Sequence, residues 1–151
     1  MVEKSLVDDH ILVNNLLSTA LEDIDKLDIK LIKDHLLKHI YFEEEVLFKL
    51  FENKHYNEIR GLEMEHLAII HLLDKIAIYF SKGNRELAIK RIEGLKRVLE
   101  GHNSIEEQGI YKELNELSDD KQIELKLKFE NAKVPSDWVC SASKAQKRYT
   151  A

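Results

Sequence analysis

Apolar residues recur along this chain in alternating steps of three and four, and the same steps land on histidines and glutamates. Four such series can be read: Leu6, His10, Val13, Leu17, Ala20, Ile24; then Ile32, Leu36, His39, Glu43, Val46, Leu50; then Ile59, Leu62, His66, Ile69, Leu73, Ile76, Phe80; and finally Ala88, Ile92, Leu95, Leu99, His102, Glu106, Gly109. Steps of three and four keep one stripe of a helix facing one way, so each series is the buried seam of an amphipathic helix. Six ionisable groups, His10, His39, Glu43, His66, His102 and Glu106, therefore point into the interior of a bundle. Left unpaired there, each would cost about several kcal/mol, so something must satisfy them. A metal site between the helices does so directly, and helix bundles build such sites from inward-facing side chains.

The arrangement of the six is repeated. His39 precedes Glu43 by four residues, and His102 precedes Glu106 by four. At that spacing two side chains share a helix face one turn apart, with Cβ atoms about 5–6 Å from each other, within reach of one ion or one side of an ion pair. Aligned at these histidines, both stretches read H-x-x-[FI]-E-E-x-x-[LI]-[FY]-K, with Phe42 over Ile105, Leu47 over Ile110, Phe48 over Tyr111 and Lys49 over Lys112. Upstream, Asp9-His10-Ile11-x-Val13-x-x-Leu16-Leu17 resembles Glu65-His66-Leu67-x-Ile69-x-x-Leu72-Leu73. The chain reads as a duplicated two-helix unit, each copy with one lone histidine and one histidine–carboxylate pair.

Length and composition agree with an all-α bundle. One domain with a real core fits in 151 residues. Five glycines and one proline leave little for tight turns, and abundant Leu, Ile, Lys and Glu favour helix. A formal charge of −5 and the lack of a basic stripe alternating with aromatics argue against nucleic acid as partner. No apolar run approaches the ~18–20 residues of a membrane span, and the charged start Met1–Asp9 is no signal peptide. The single Cys140 cannot close an intrachain disulfide, so a cytoplasmic location is expected.

The helices are expected at about 4–26, 29–51, 57–82 and 85–117, with Asp28 as N-cap of the second and Gly83-Asn84 ending the third. Gly94, Gly101 and Gly109 lie in the fourth, where a bend is expected next to His102; the alternative is that Gly101 and Gly109 admit a neighbouring helix. Ser118 caps a short extra helix over about 119–131. Residues 1–132 are thus read as one four-helix bundle plus a short helix. Residues 133–151 form a C-terminal tail with Pro135, the anchor candidate Trp138 and a mildly basic end, Lys144, Lys147 and Arg148. The remaining histidines fall off the seams: His35 flanks the second as a candidate supporting group, His71 turns about 140° from His66, and His55 lies in a surface loop. Glu44, Glu45 and Glu107 read as solvated, while Glu63, three before His66, is a candidate seventh ligand.

Ligand type narrows the metal. Four imidazoles and two carboxylates exceed what one tetrahedral zinc ion takes and suit two borderline ions bridged by carboxylates. Mixed N/O ligation with open positions points to iron, with manganese and zinc left as alternatives.

At these residues the chain resembles hemerythrin-like (HHE cation-binding) proteins, whose D-H…H-x-x-x-E-E…E-H…H-x-x-x-E-E order spans about Leu6 to Leu117. The resemblance implies an up-down-up-down four-helix bundle with a non-haem di-iron centre, two iron ions with an oxo or hydroxo bridge. It implies that Glu43 and Glu106 bridge the irons, that His10 and His39 serve one, and that His66 and His102 serve the other. It also implies a small diatomic or peroxide ligand, since the family includes oxygen carriers, sensors, iron-regulatory proteins and proteins linked to nitric oxide or iron-centre repair. The chain departs from the carrier pattern in two places. Carriers bring two histidines four apart on the third helix, whereas Leu62 and Ile70 flank His66 here, and the last carboxylate follows His102 by four rather than five. A ferritin-like site needs Glu-x-x-His twice, and Glu52–His55 is a poor partner for Glu63–His66. Three functions follow for test: binding or reduction of dioxygen, peroxide or nitric oxide; an iron-sensing, iron-homeostasis or iron-centre repair module without turnover; or a metal-free interaction domain with a hydrogen-bonded polar core.

Overall fold

A computed structural model describes residues 1–144, and the tail residues Lys147 and Arg148 lie outside the described part. The fold is all-α. Helix α1 covers Val2–Glu22 and is followed by a 3-10 turn, Ile24–Lys26. Helix α2, Ile29–Phe42, continues through a π-helical turn, Glu43–Leu47, into the short α3, Phe48–Phe51. Helix α4 spans Tyr56–Ser81 and α5 spans Arg85–Gln108. Beyond Gly109 come α6, Ile110–Glu113, a 3-10 turn, Leu114–Glu116, and α7, Asp119–Glu130.

Local chemistry sets these limits. The Asp28 carboxylate accepts from the Leu31 amide, Asn84 from Leu87 and Ser118 from Lys121, so three helices begin on side-chain caps. Gly83 takes the left-handed conformation, φ 75°, that closes α4 cheaply only for glycine. Helices α1, α2, α4 and α5 pack in a ring, each antiparallel to the next in sequence, and α7 lies across α1 and α2 through Leu125 and Phe129.

Most of the core falls into two apolar clusters, with a small third one of Leu67, Cys140 and Ala142 under the C-terminal segment. One apolar cluster includes Val13, Leu17, Ile32, Leu36, Ile69, Leu73, Ile92, Leu95 and Leu99. The other includes Val2, Leu6, Phe42, Leu47, Phe48, Ile59, Leu62, Ile110, Tyr111 and Leu114. Along each of the four long helices the ionisable residues stand where one cluster gives way to the other. The polar layer is thus sealed from both ends by side chains that contribute about 1.5–3 kcal/mol each on burial.

Three expectations need correction. The first helix stops at Glu22, because Asp23 turns extended and starts the 3-10 turn. The seam of the second helix reaches Val46, which is half-buried against the second cluster, but does not run on to Leu50. Within the π-turn one extra residue is fitted, so Leu47 and Phe48 become buried while Leu50 is exposed. The fourth helix does not bend at His102; α5 runs unbroken past Gly94 and Gly101, and the break comes at Gly109. A Cβ at Gly101 would meet nothing within 4 Å, so neither a bend nor a close helix explains that glycine. At Gly109 a Cβ would collide with the Glu58 carboxylate and stand 2.9 Å from the Ile105 carbonyl oxygen.

These two positions should respond oppositely to the same change. Gly101→Ala should stabilise the protein by about 0.5–1 kcal/mol, the difference in helix preference. Gly109→Ala should destabilise it by about 1–3 kcal/mol through overpacking. Urea unfolding midpoints of the two variants would show it; equal shifts in one direction would contradict the placement of the break.

Candidate metal centre

The six seam residues converge. His10, His39, Glu43 and Glu106 place one ligand atom each within 4.8 Å of one another, and so do Glu43, His66, His102 and Glu106. The two groups share both glutamates, one from α5 and one from the π-turn after α2. Each group draws its histidines from two helices: α1 and α2 in the first, α4 and α5 in the second. All six side chains are buried or nearly so.

Around this layer stands a second ring of carboxylates, and it fixes which imidazole nitrogen faces inward. His39 Nδ1 is 2.8 Å from Asp9, His10 Nδ1 is 3.0 Å from Glu107, His66 Nδ1 is 2.7 Å from Glu44, and His102 Nδ1 is 2.9 Å from Glu65. A carboxylate accepts from Nδ1–H, which leaves Nε2 with its lone pair directed at the centre. The pairs obey the internal repeat. Asp9 and Glu65, each just before a lone histidine, hold the histidines of the opposite element; Glu44 and Glu107, each just after a shared glutamate, hold the lone ones. Glu44 was expected in solvent; it is instead buried, and Ser141 donates to it through both amide and hydroxyl, at 2.8 and 3.0 Å. Glu107 is only partly exposed, and Glu45 is half-buried and accepts from the Trp138 indole at 2.9 Å. Position alone did not separate these groups from surface charge; the signal was their recurrence at equivalent places in both repeats.

The other candidates fall outside the two groups. Glu63 is buried, but its carboxylate accepts from Arg60 at 2.7 Å. His35 flanks the layer, 3.3 Å from Asp9, and His71 is exposed. His55 is less open than expected, bridging Glu58 and Glu113 at 3.2 and 3.1 Å. One residue was not foreseen at all. Tyr111, fully buried, donates its phenol proton to Glu43 at 2.7 Å and stands 3.0 Å from His39 Nε2 and 3.1 Å from His10 Nε2. From Glu106 it is five residues on, a spacing that faces elsewhere on a regular helix; the break at Gly109 brings it in.

Whether cations fit can be judged from the donors. With Nδ1–H of His10 and His39 given to Glu107 and Asp9, their Nε2 lone pairs oppose each other at 3.1 Å. Glu106 Oε2 is buried and has no hydrogen-bond partner among the described residues. Lone pairs aimed at one another and an orphaned carboxylate oxygen are what electron-pair acceptors between them would satisfy. In their absence protons must serve. Burial pushes the His39 imidazole down, but Glu43 and Asp9 outweigh it and lift it to about 10. Burial likewise opposes, and Glu43 and Glu44 overcome, for His66, also lifted to about 10. His102 is raised against its burial by Glu106. Burial raises Glu43, and His39, a hydrogen bond with Glu106 and His66 more than reverse it, holding it well below the usual range. Burial, Glu106 and Glu43 together keep the Tyr111 phenol protonated.

The family model of the hemerythrin HHE cation-binding domain matches residues 4–114, which contain both donor groups and their four supporting carboxylates. No curated protein and no solved structure matches the chain.

The metal-free protein should show a definite pH dependence. Its raised histidines stabilise the fold fully below their ordinary value of 6.5, and that contribution is lost as pH climbs from there through about 10. The depressed Glu43 contributes above its ordinary value of 4.5 and loses its share as pH falls through the lowered one. Thermal melts in chelator should therefore be highest between those ordinary values and fall steadily towards alkaline pH. A melting temperature that rises from neutral to alkaline pH would contradict the pairing.

Proposed function

The chain belongs to the hemerythrin HHE cation-binding family, and on that footing we propose that it holds two iron ions and binds or reduces a small oxidant, dioxygen, peroxide or nitric oxide. The observation that carries this reading is that the two donor groups share both Glu43 and Glu106, so one pair of carboxylates spans two neighbouring positions. His10 and His39 would hold one ion, His66 and His102 the other. The donor set of imidazole and carboxylate, without thiolate, suits iron. Iron held there would supply open coordination positions and a one-electron redox couple.

The chain's own residues do the rest. Asp9, Glu107, Glu44 and Glu65 orient the four imidazoles and strengthen their basicity. Val13, Leu36, Ile40, Ile69 and Leu99 roof a small cavity that reaches His10, His39, His102 and both shared glutamates. Asp9 and Asn103 complete the lining, and the small size of the cavity under that apolar roof favours a diatomic or peroxide-sized molecule over a larger metabolite. Leu62, where an oxygen carrier has a further histidine, is fully buried in the apolar cluster on the other side. An ion held by His66 and His102 would therefore lack that imidazole, which favours reaction with oxygen over its storage. Nothing in this reading involves nucleic acid or membrane, and no helix among the described residues is long and apolar enough to cross a bilayer. A cytoplasmic setting suits a redox iron protein with one free thiol.

A second reading, iron sensing, is favoured by one contact. Ser141 holds Glu44, which holds His66, so the segment after α7 is linked to a donor imidazole in two hydrogen-bonded steps. A sensor would expose that segment on losing iron, and proteolysis after Lys144 or Lys133 would then accelerate in chelator.

Protein purified from iron-fed cells should contain about two irons per chain. Glu44→Ala should weaken one of the two by about 10–100-fold while leaving the other, because it releases only His66. Competition titration with a chromophoric chelator reads both sites; equal weakening of the two would contradict the assignment. On mixing with oxygen the reduced protein should be oxidised irreversibly. Oxygen recovered quantitatively under vacuum would restore the carrier function.

A further inference from the structure

The two halves of the site carry the same donor groups and differ at one aromatic position beside them. Under the internal repeat His10 matches His66, His39 matches His102, and Phe48 matches Tyr111. Both aromatic rings stack on the lone histidine of the other repeat: Phe48 on His66, with centroids 5.7 Å apart and planes at 4°, and Tyr111 on His10, at 5.5 Å and 19°. Each ring gets there by an irregular turn after the shared glutamate, the π-turn before Phe48 and the break at Gly109 before Tyr111. Only the second ring carries an oxygen.

The position of that oxygen is specific. It lies 3.1 Å from His10 Nε2, 3.0 Å from His39 Nε2, 2.7 Å from Glu43 Oε2 and 3.3 Å from Glu106 Oε1. Those four atoms are themselves linked as His10–His39 at 3.1 Å, His39–Glu43 at 3.5 Å and Glu106–His10 at 3.4 Å. Adjacent ligands of an octahedral ion with bonds of about 2.1 Å stand about 3.0 Å apart. An atom at the ion's own place would be much nearer to all four. A phenol oxygen about one ligand–ligand edge from each of four donors has the spacing of a further ligand to the same ion.

We propose that Tyr111 is a fifth protein ligand to the ion held by His10 and His39, bound through its phenolate oxygen, so that the two ions are chemically unequal. This rests on the di-iron reading above. On coordination the phenol O–H bond breaks, the proton is released to water, and the oxygen pair binds the ion; no electron changes hands. An anionic oxygen favours a trivalent ion, so this half would stay oxidised more readily than the His66–His102 half, where Phe48 offers nothing. The cavity under Val13, Leu36 and Leu99 belongs to the other apolar cluster, away from Tyr111, so the phenolate does not occupy the side from which a small ligand arrives.

The test is the spectrum of the oxidised, iron-loaded protein. A phenolate on iron(III) gives a visible charge-transfer band, and excitation into it enhances tyrosinate ring vibrations in resonance Raman. We expect both in the wild-type protein, and complete loss of both in Tyr111→Phe with iron still bound. Phe48 in the equivalent setting indicates that a phenyl ring is accommodated. Should Tyr111→Phe fail to fold, a protein with Tyr41, Tyr56, Tyr79 and Tyr149 all changed to Phe must keep the band. Iron-loaded wild type without tyrosinate vibrations would overturn the proposal and leave the di-iron reading standing, as would a band that survives in Tyr111→Phe or disappears in the fourfold variant. A wild-type protein that takes up no iron would overturn both.

Discussion

Four imidazole nitrogens and two shared carboxylates, turned towards one another in a sealed layer of a helix bundle, are the constraint on which the rest of this structure depends. Groups of that kind are not buried for stability, since apolar side chains of equal volume would serve as well or better. Their cost is offset only if charge is supplied between them, by protons or by cations. Everything nearby follows from holding that layer in place: two apolar clusters close it at either end, and four carboxylates outside it take the outer nitrogen of each histidine. The bundle is built around the cost of its own centre.

Duplication explains how so short a chain supplies so many matched groups. Each half contributes a histidine that is held by a carboxylate of the same half or of the other, so neither half is complete alone. Glu107 on α5 holds His10 on α1, and Glu44 after α2 holds His66 on α4. The shared glutamates tie the halves a second time. The departures from symmetry are therefore informative: Tyr111 against Phe48 at the centre, and Ser141 with Trp138 on the Glu44–Glu45 side only. One half carries an extra oxygen, and the other carries the C-terminal segment.

The helix seams and the six inward groups were legible in the sequence because the period of a regular helix is fixed, and a residue's face follows from counting. Counting failed where the helix ceased to be regular. After Glu43 a π-turn moved Leu47 and Phe48 inwards and Leu50 out, and at Gly109 the chain broke and turned Tyr111 to the centre. The alignment of Phe48 with Tyr111 already marked the position, without indicating that an i+5 residue could face the same way as its glutamate. Glu44, Glu65, Asp9 and Glu107 were illegible for another reason. Each sits next to an inward residue, where a carboxylate is ordinarily solvated, and only the neighbouring helix makes it a hydrogen-bond acceptor. Glu63 shows the converse: correct spacing from His66, yet captured by Arg60 one turn away.

The central claim is that one carboxylate pair spans two ions in this layer. X-ray absorption at the iron edge of the loaded protein measures it most directly, because a second iron scatters with an amplitude that light atoms at the same distance do not give. The account predicts an iron–iron vector within about 4 Å, with a first shell of nitrogen and oxygen and no sulfur. A first shell of the same kind with no iron neighbour, at an iron content of one per chain, would contradict it.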